Sequence, residues 1–318
     1  MTLGPASGPS ASARPASLTY SCYGLVLSSE LELPDLGDPI DTDAPADIVV
    51  RLGPLTRPPI ETDQLPYGLW RSDDRCGVDV PEVGRYEARA GHEVIIDPVP
   101  GVEPRALRLF LLGTVMGAVM MQRDHLVLHG NAFRVGDACA VVVGHSGAGK
   151  STLAAEFDRR GFDVLSDDVV PINADCFAIP GYPRIKLWDD ALERLGVETN
   201  GLERINDAHE KFQLPLHRNA IEALPLRWIY VLERHAGSEL TIEPVHGAVT
   251  FSLLHEHTYR NELVHGPQPV ARHLEQCARL ASVVRLARVR RPVATMTAEC
   301  TAAAILADIA ENPTQESA

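Results

Sequence analysis

The chain has 318 residues, 45% of them hydrophobic and 23% charged, with a formal net charge of -14. A length of this order suits about two domains of roughly 150 residues each. The acidity argues against nucleic acid or an anionic membrane surface as a partner, since both call for basic faces. Six cysteines (Cys22, Cys76, Cys139, Cys176, Cys277 and Cys300) without a C-x-x-C pair fit reduced thiols in a cytoplasm.

In chain order, residues 1–17 are small and polar without an apolar h-region, which predicts a disordered tail rather than a secretory signal. Residues 18–103 hold short alternating runs, among them "LTYSCYGLVL", "DIVVRLG", "RYEARAG" and "HEVIIDP", punctuated by Gly, Pro and Asp. They predict a small β-rich N-terminal domain of antiparallel strands with no recognisable chemistry. "DPVPGVEP" (97–104) reads as a linker and 105–122 as a buried apolar helix broken by Gly113 and Gly117. The uncharged run Leu109–Met121 is shorter than the roughly 20 residues that span a bilayer. A second domain is expected over 104–312, followed by a tail at 313–318. Within it, "HLVLHGNAF" and "ACAVVVG" predict strands joined by a turn at "RVGD". A helix follows from Lys150 to about Arg160, with Leu153, Ala154 and Phe157 on one face and Gly161 as its stop. "FDVLSDDVVPI", "PLRWIYVLER" and "ELTIEPV" predict further strands, and 246–256, 270–284 and 297–311 predict helices.

The stretch "VVVGHSGAGKST" (141–152) carries the chemistry. Gly144, Gly149, Lys150 and Ser151 satisfy G-x-x-x-x-G-K-[ST] between a strand and a helix. The loop residues Gly144, His145, Ser146, Gly147, Ala148 and Gly149 turn successive N–H groups toward phosphate oxygens. The helix beginning at Lys150, Ser151 and Thr152 adds its positive dipole end. Lys150 reaches the terminal phosphates and Ser151 ligates Mg²⁺, which predicts ATP and Mg²⁺ as cofactors. Ser146 is thereby explained without a hydrolase role. Asp167 and Asp168, in "LSDDVV", lie 17 and 18 residues beyond Lys150 at the end of the next strand. As neighbours on a strand they are expected to face opposite sides, one toward the metal and one toward an incoming hydroxyl. His129, 15 residues before Gly144, falls near the loop if the two strands form a hairpin. His255, His257 and His265 make a weak zinc pattern, because an i, i+2 pair diverges on a helix. Only three lysines occur, Lys150, Lys186 and Lys211, against a background of arginine. That scarcity singles out Lys186 and Lys211.

"LHG", "GHSGAGKS" and "RRGFDVLSDDVV" together resemble the core of the HPr kinase/phosphorylase family, over about residues 125–190. The resemblance implies an α/β fold: a P-loop kinase domain of the HPr kinase and phosphoenolpyruvate carboxykinase type behind a separate N-terminal domain. It implies Asp167 as acid/base carboxylate, Asp168 as a metal-side carboxylate and His129 as the active-site histidine. Thr152 stands where the HPr-directed enzymes carry Glu, and their glycine-rich downstream segment has no counterpart. Instead "PGYPRIKLWDDALERLG" and "YGLVLSSELELPDL" are similar to stand-alone members found with lasso peptide systems, which phosphorylate the C-terminal serine of a precursor peptide. Arg184, Lys186 and Lys211 are then candidates to neutralise donor phosphates or grip an acceptor carboxylate. The resulting expectation is a serine kinase acting on a peptide or small protein, with homo-oligomerisation possible by family habit. The rivals are a kinase of a small-molecule alcohol and a nucleotide-gated binding module.

Overall fold

The structure is a computed structural model that describes residues 17–56, 63–182, 184–188, 192, 203–206, 209–216, 222–293 and 297–313. The expected tails therefore lie outside the described residues, apart from Ser17 and Pro313. Among the described residues the fold is mixed α/β with three sheets. The first comprises β1 (Leu18–Cys22), β2 (Leu25–Ser29), β3 (Ile48–Leu52), β4 (Asp63–Gln64), β5 (Leu69–Arg71), β6 (Arg75–Val80), β7 (Gly84–Arg89) and β8 (Glu93–Pro98). Their order is β1-β2-β3-β8-β7-β6-β5-β4. The runs are strands, as their alternation predicts, but the sheet is not purely antiparallel: β2 pairs β3, and β3 pairs β8, in parallel. Part of the expected linker also joins β8, where Asp97 accepts a hydrogen bond from the Leu55 N–H at 3.0 Å.

The helix α1 (Pro104–Gln122) is unbroken. It passes through a π turn at Leu111–Val115. By length and composition it could cross a membrane, yet Leu107, Leu111, Val115, Met116 and Val119 are buried in one core with Leu27, Ile48, Val94 and Ile96 of the first sheet. The hydrophobic core thus runs across the boundary at residue 103. Gly113 and Gly117 do not interrupt the helix; they make room for an aromatic ring. A Cβ on Gly117 would stand 2.8 Å from Tyr259 Cδ1, and one on Gly113 would stand 3.3 Å from the Tyr259 hydroxyl.

The second sheet holds β9 (Leu126–Val135), β10 (Ala138–Val143), β11 (Val164–Ile172), β12 (Phe177–Ala178), β16 (Leu224–His235), β17 (Thr241–Pro244) and β18 (Arg285–Pro292). β9 lies antiparallel between β10 and β11, while β10, β16 and β18 run parallel. β10 and β11 therefore point the same way, toward the end of the sheet where the glycine loop leaves β10. β13 (Arg184–Trp188), β14 (Glu203–Asn206) and β15 (His209–Pro215) form the third sheet. Further α-helices are α2 (Lys150–Arg159), α3 (Ala248–Glu256), α4 (Pro267–Ala281) and α5 (Ala298–Glu311). Leu153 and Phe157 of α2 pack with Phe133 and with Ala302 and Ile305 of α5.

Gly117→Ala gains helix propensity of about 1 kcal/mol but drives a methyl into the Tyr259 ring, and overpacking costs about 1–3 kcal/mol. A net loss of up to about 2 kcal/mol is expected, read as a lower urea midpoint. An unchanged or raised midpoint would show that the groove has slack.

Candidate active site

β9 and β10 form the expected hairpin, and Val143, the last residue of β10, pairs with Gly130. Gly130 must be glycine, since any Cβ would strike the Val142 carbonyl. His129 immediately precedes Gly130 on β9, so it lies beside the loop that leaves β10 after Val143. Gly144 (φ +154°), Gly147 (φ +78°) and Gly149 (φ +102°) all adopt backbone angles that L side chains rarely reach, and α2 begins at once behind Gly149. Lys150 is buried, and its ammonium donates to the carbonyls of Gly144 at 2.7 Å and His145 at 3.2 Å. It lies folded across the mouth of the loop. The His145 imidazole reaches outward to Glu256 at 2.8 Å.

β11 places the acidic pair at the same level, with Asp167 opposite Asn131 and Asp168 opposite Gly130. Strand alternation does not decide which way the pair faces. Asp168 has φ +78°, so the strand alternation does not apply at that residue. Both carboxylates instead reach Lys186: its backbone N–H donates to Asp167 Oδ2 at 3.0 Å, and its ammonium lies 3.5 Å from Asp168 Oδ2. The other Asp167 oxygen accepts from Ser151 Oγ at 3.2 Å. The other Asp168 oxygen meets His129 Nδ1 at 3.2 Å. Asp167 is buried, whereas the Asp168 side chain is about a quarter exposed at 27%. A left-handed Asp costs order 1–3 kcal/mol of strain, the kind stored at functional sites.

Lys186 is itself buried. Burial pulls its pKa down, but Tyr182 and Asp168, with Tyr259, outweigh that and hold it above the usual lysine range. It is a fixed positive charge under the acidic pair. The Tyr259 ring stands 5.6 Å from the His129 ring, wedged by the two glycines of α1. Arg184, expected near donor phosphates or an acceptor carboxylate, is directed elsewhere: it donates to the carbonyls of Asp35 and Pro34, each at 3.2 Å. Lys211 pairs with Trp188 in the third sheet, and its side chain lies outside the described residues.

Three site residues had escaped the sequence reading. Arg291, at the end of β18, donates twice to the Ala148 carbonyl, at 2.6 and 3.2 Å, and its guanidinium fills the space where a Cβ on Gly149 would sit, 2.7 Å away. Arg234, at the end of β16, approaches the Gly147 carbonyl at 3.4 Å. The parallel strands thus brace the glycine loop from outside; the clue was the arginine run "RVRRP". Asn131, fully buried, donates to the Lys150 carbonyl at 2.7 Å and anchors the first turn of α2.

The donor set fits Mg²⁺. Among the described residues no group of three His, Cys, Asp or Glu side chains could cage a metal. A serine hydroxyl beside a carboxylate suits an ion that takes one or two protein oxygens and completes its shell with water and phosphate.

No protein-family model matches the chain, and no curated protein matches it. Among solved structures it is similar to the Hpr(Ser) kinase/phosphatase from Coxiella burnetii, with 9% identity, covering 58% of this chain and 91% of that chain, and a TM-score of 0.29. A likeness of that size carries no argument about activity, which rests on the site itself.

Behind the loop, His257 and His273 are both buried, and burial holds each pKa down to about 4. His257 also accepts the His129 N–H on its carbonyl at 2.8 Å, and His273 meets the Thr258 hydroxyl at 2.8 Å. In the unfolded chain each protonates near its ordinary value of 6.5. Their stabilising contribution is therefore whole above about pH 6.5 and is lost as pH falls toward 4. The urea midpoint is expected to drop across that window, and the double variant His257→Gln/His273→Gln to show a shallower drop. Equal slopes would contradict the assignment.

Proposed function

We propose that the chain is an ATP- and Mg²⁺-dependent phosphotransferase that moves the terminal phosphoryl group to an alcohol. On the resemblance above, that alcohol belongs to a serine of a peptide or small protein, at its C-terminus in the most specific form of the reading. The observation that carries the proposal is the convergence of Lys150, Ser151, Asp167, Asp168 and His129 on one end of one sheet. A nucleotide-binding module without transfer has no need of a strained, partly exposed carboxylate held by a histidine.

Bound Mg²⁺ would neutralise charge on the phosphates, and Ser151 and Asp167 are the side chains that would hold it. The Lys150 ammonium, now satisfied by two loop carbonyls, has anionic oxygens as stronger partners. The loop N–H groups and the start of α2 supply preorganised positive potential at the equatorial oxygens, where charge gathers during transfer. Asp168 takes the proton of the attacking hydroxyl as that oxygen bonds to phosphorus and the bond to the leaving diphosphate breaks. His129 orients Asp168, and the Lys186 ammonium pairs with it. This division exchanges the two aspartates relative to the sequence expectation, because Asp167 has one oxygen on Ser151 and the other on a backbone N–H.

Incubation with Mg²⁺-ATP and a pool of peptides ending in serine, threonine or alanine, read by mass spectrometry, tests both points. Phosphate adducts confined to hydroxyl-ending peptides are expected. Asp168→Asn should lower transfer by about 10²–10⁴-fold with ATP binding retained, and Asp167→Asn should raise the Mg²⁺ requirement. Transfer lost in Asp167→Asn but kept in Asp168→Asn would restore the original assignment. ATP consumption without adducts would remove the peptide acceptor.

A further inference from the structure

Tyr23 breaks two local rules. It occupies the first position of the two-residue turn between β1 and β2, at φ +54°, with Gly24 following at φ +71°. A tight hairpin turn of that hand favours Asn-Gly, because a bulky side chain is strained in the left-handed region. The side chain is then buried, 4% exposed, and its hydroxyl has no hydrogen-bond partner among the described residues. An orphaned buried hydroxyl is destabilising, and phenylalanine would fill the same space without that cost. Local violations with no structural return concentrate where a ligand supplies the missing partner.

The position of the ring says which ligand. A Cβ on Gly181 would stand 3.5 Å from Tyr23 Cε1 and 3.2 Å from Ser166 Cβ. The hydroxyl-bearing end of the ring thus lies against Gly181, which precedes Tyr182, close to the residue that precedes Asp167. Tyr23, Tyr182 and Tyr259 belong to one buried cluster. Burial first, then neighbouring groups that include Tyr182, Tyr259 and Asp168, raise the Tyr23 pKa, so the hydroxyl stays protonated. The loop and its phosphate-binding N–H groups adjoin the other side of the acidic pair, at Ser151. On the phosphotransfer reading, the tyrosine side is the side left for the acceptor.

We propose that Tyr23 is an acceptor-binding residue, its hydroxyl donating a hydrogen bond to a carboxylate or carbonyl oxygen that neighbours the alcohol to be phosphorylated. The Lys186 ammonium, beside Tyr182 and Asp168, favours the carboxylate. The first sheet then supplies substrate recognition to a reaction carried out on the second. This inference rests on the phosphotransfer reading for its place in the reaction, but not for its test.

The probes are serine-ended peptides, as free acids and as amides, with full-length wild type, Tyr23→Phe and Tyr23→Asn. The asparagine variant suits the turn but empties the ring's place in the core, so its urea midpoint should fall; the phenylalanine variant, which keeps the ring, carries the test. Peptide affinity is measured by calorimetry with Mg²⁺ and a non-hydrolysable ATP analogue present, alongside analogue affinity, the urea midpoint and transfer kinetics. The expected result is a urea midpoint in Tyr23→Phe equal to wild type or higher, unchanged analogue affinity, and peptide Kd and KM raised at least tenfold with kcat within threefold. Acids binding more tightly than amides assigns the oxygen to a carboxylate; equal binding assigns it to a carbonyl. Peptide affinity within twofold of wild type in Tyr23→Phe, or no peptide binding by wild type, overturns the proposal. Tyr23-dependent peptide binding without transfer removes the phosphotransfer reading and leaves Tyr23 as a binding residue.

Discussion

Lys186 ties the candidate site together, since its backbone N–H and its ammonium each hold one of two neighbouring carboxylates. A buried ammonium without a partner would cost several kcal/mol of lost hydration. Asp168 offsets that cost by bringing its carboxylate to the ammonium. The positive φ of Asp168 is the backbone consequence. From this one charge follow the partly exposed carboxylate facing the site, its contact with His129, and the release of Asp167 to pair with Ser151. The third sheet, which delivers Lys186, is thereby part of the candidate site and not an appendage.

A second tie runs through Asp35, in the short helical turn Pro34–Leu36 after β2. Its carboxylate receives Arg108 of α1 at 2.6 Å and Gln213 of β15 at 2.6 Å, while Arg184 of β13 binds the main chain beside it. The first sheet, α1 and the third sheet thus meet on one buried acid. Together with the Tyr259 ring seated over Gly113 and Gly117, this explains why the hydrophobic core does not stop at residue 103. Elements far from the glycine loop in sequence fix the side chains around it.

The glycine loop was legible because its spacing is local: the turn, the lysine and the helix start all fall within nine residues, and nothing distant is needed to shape them. The β9–β10 hairpin, and with it the place of His129, was legible for the same reason. The two aspartates were found, but not their orientation, since the alternation rule assumes an extended backbone and a charge 18 residues away overrides it at Asp168. The parallel pairings of β2, β3 and β8 join segments whose order no local pattern encodes. Gly113 and Gly117 read as breaks because their partner, Tyr259, lies more than 140 residues on. Arg184 stood out by its motif and Arg291 did not, yet only packing shows that the first binds the N-terminal turn and the second braces the loop.

The claim on which the rest stands is that the loop at 144–151 holds a magnesium nucleotide. Calorimetric titration of ATP into the full chain, with and without Mg²⁺, tests it most directly. The account predicts one site per chain, weakened about tenfold or more by Lys150→Ala under either condition. Ser151→Ala should weaken it only when Mg²⁺ is present. Binding that neither substitution changes, or no binding at all, would contradict it.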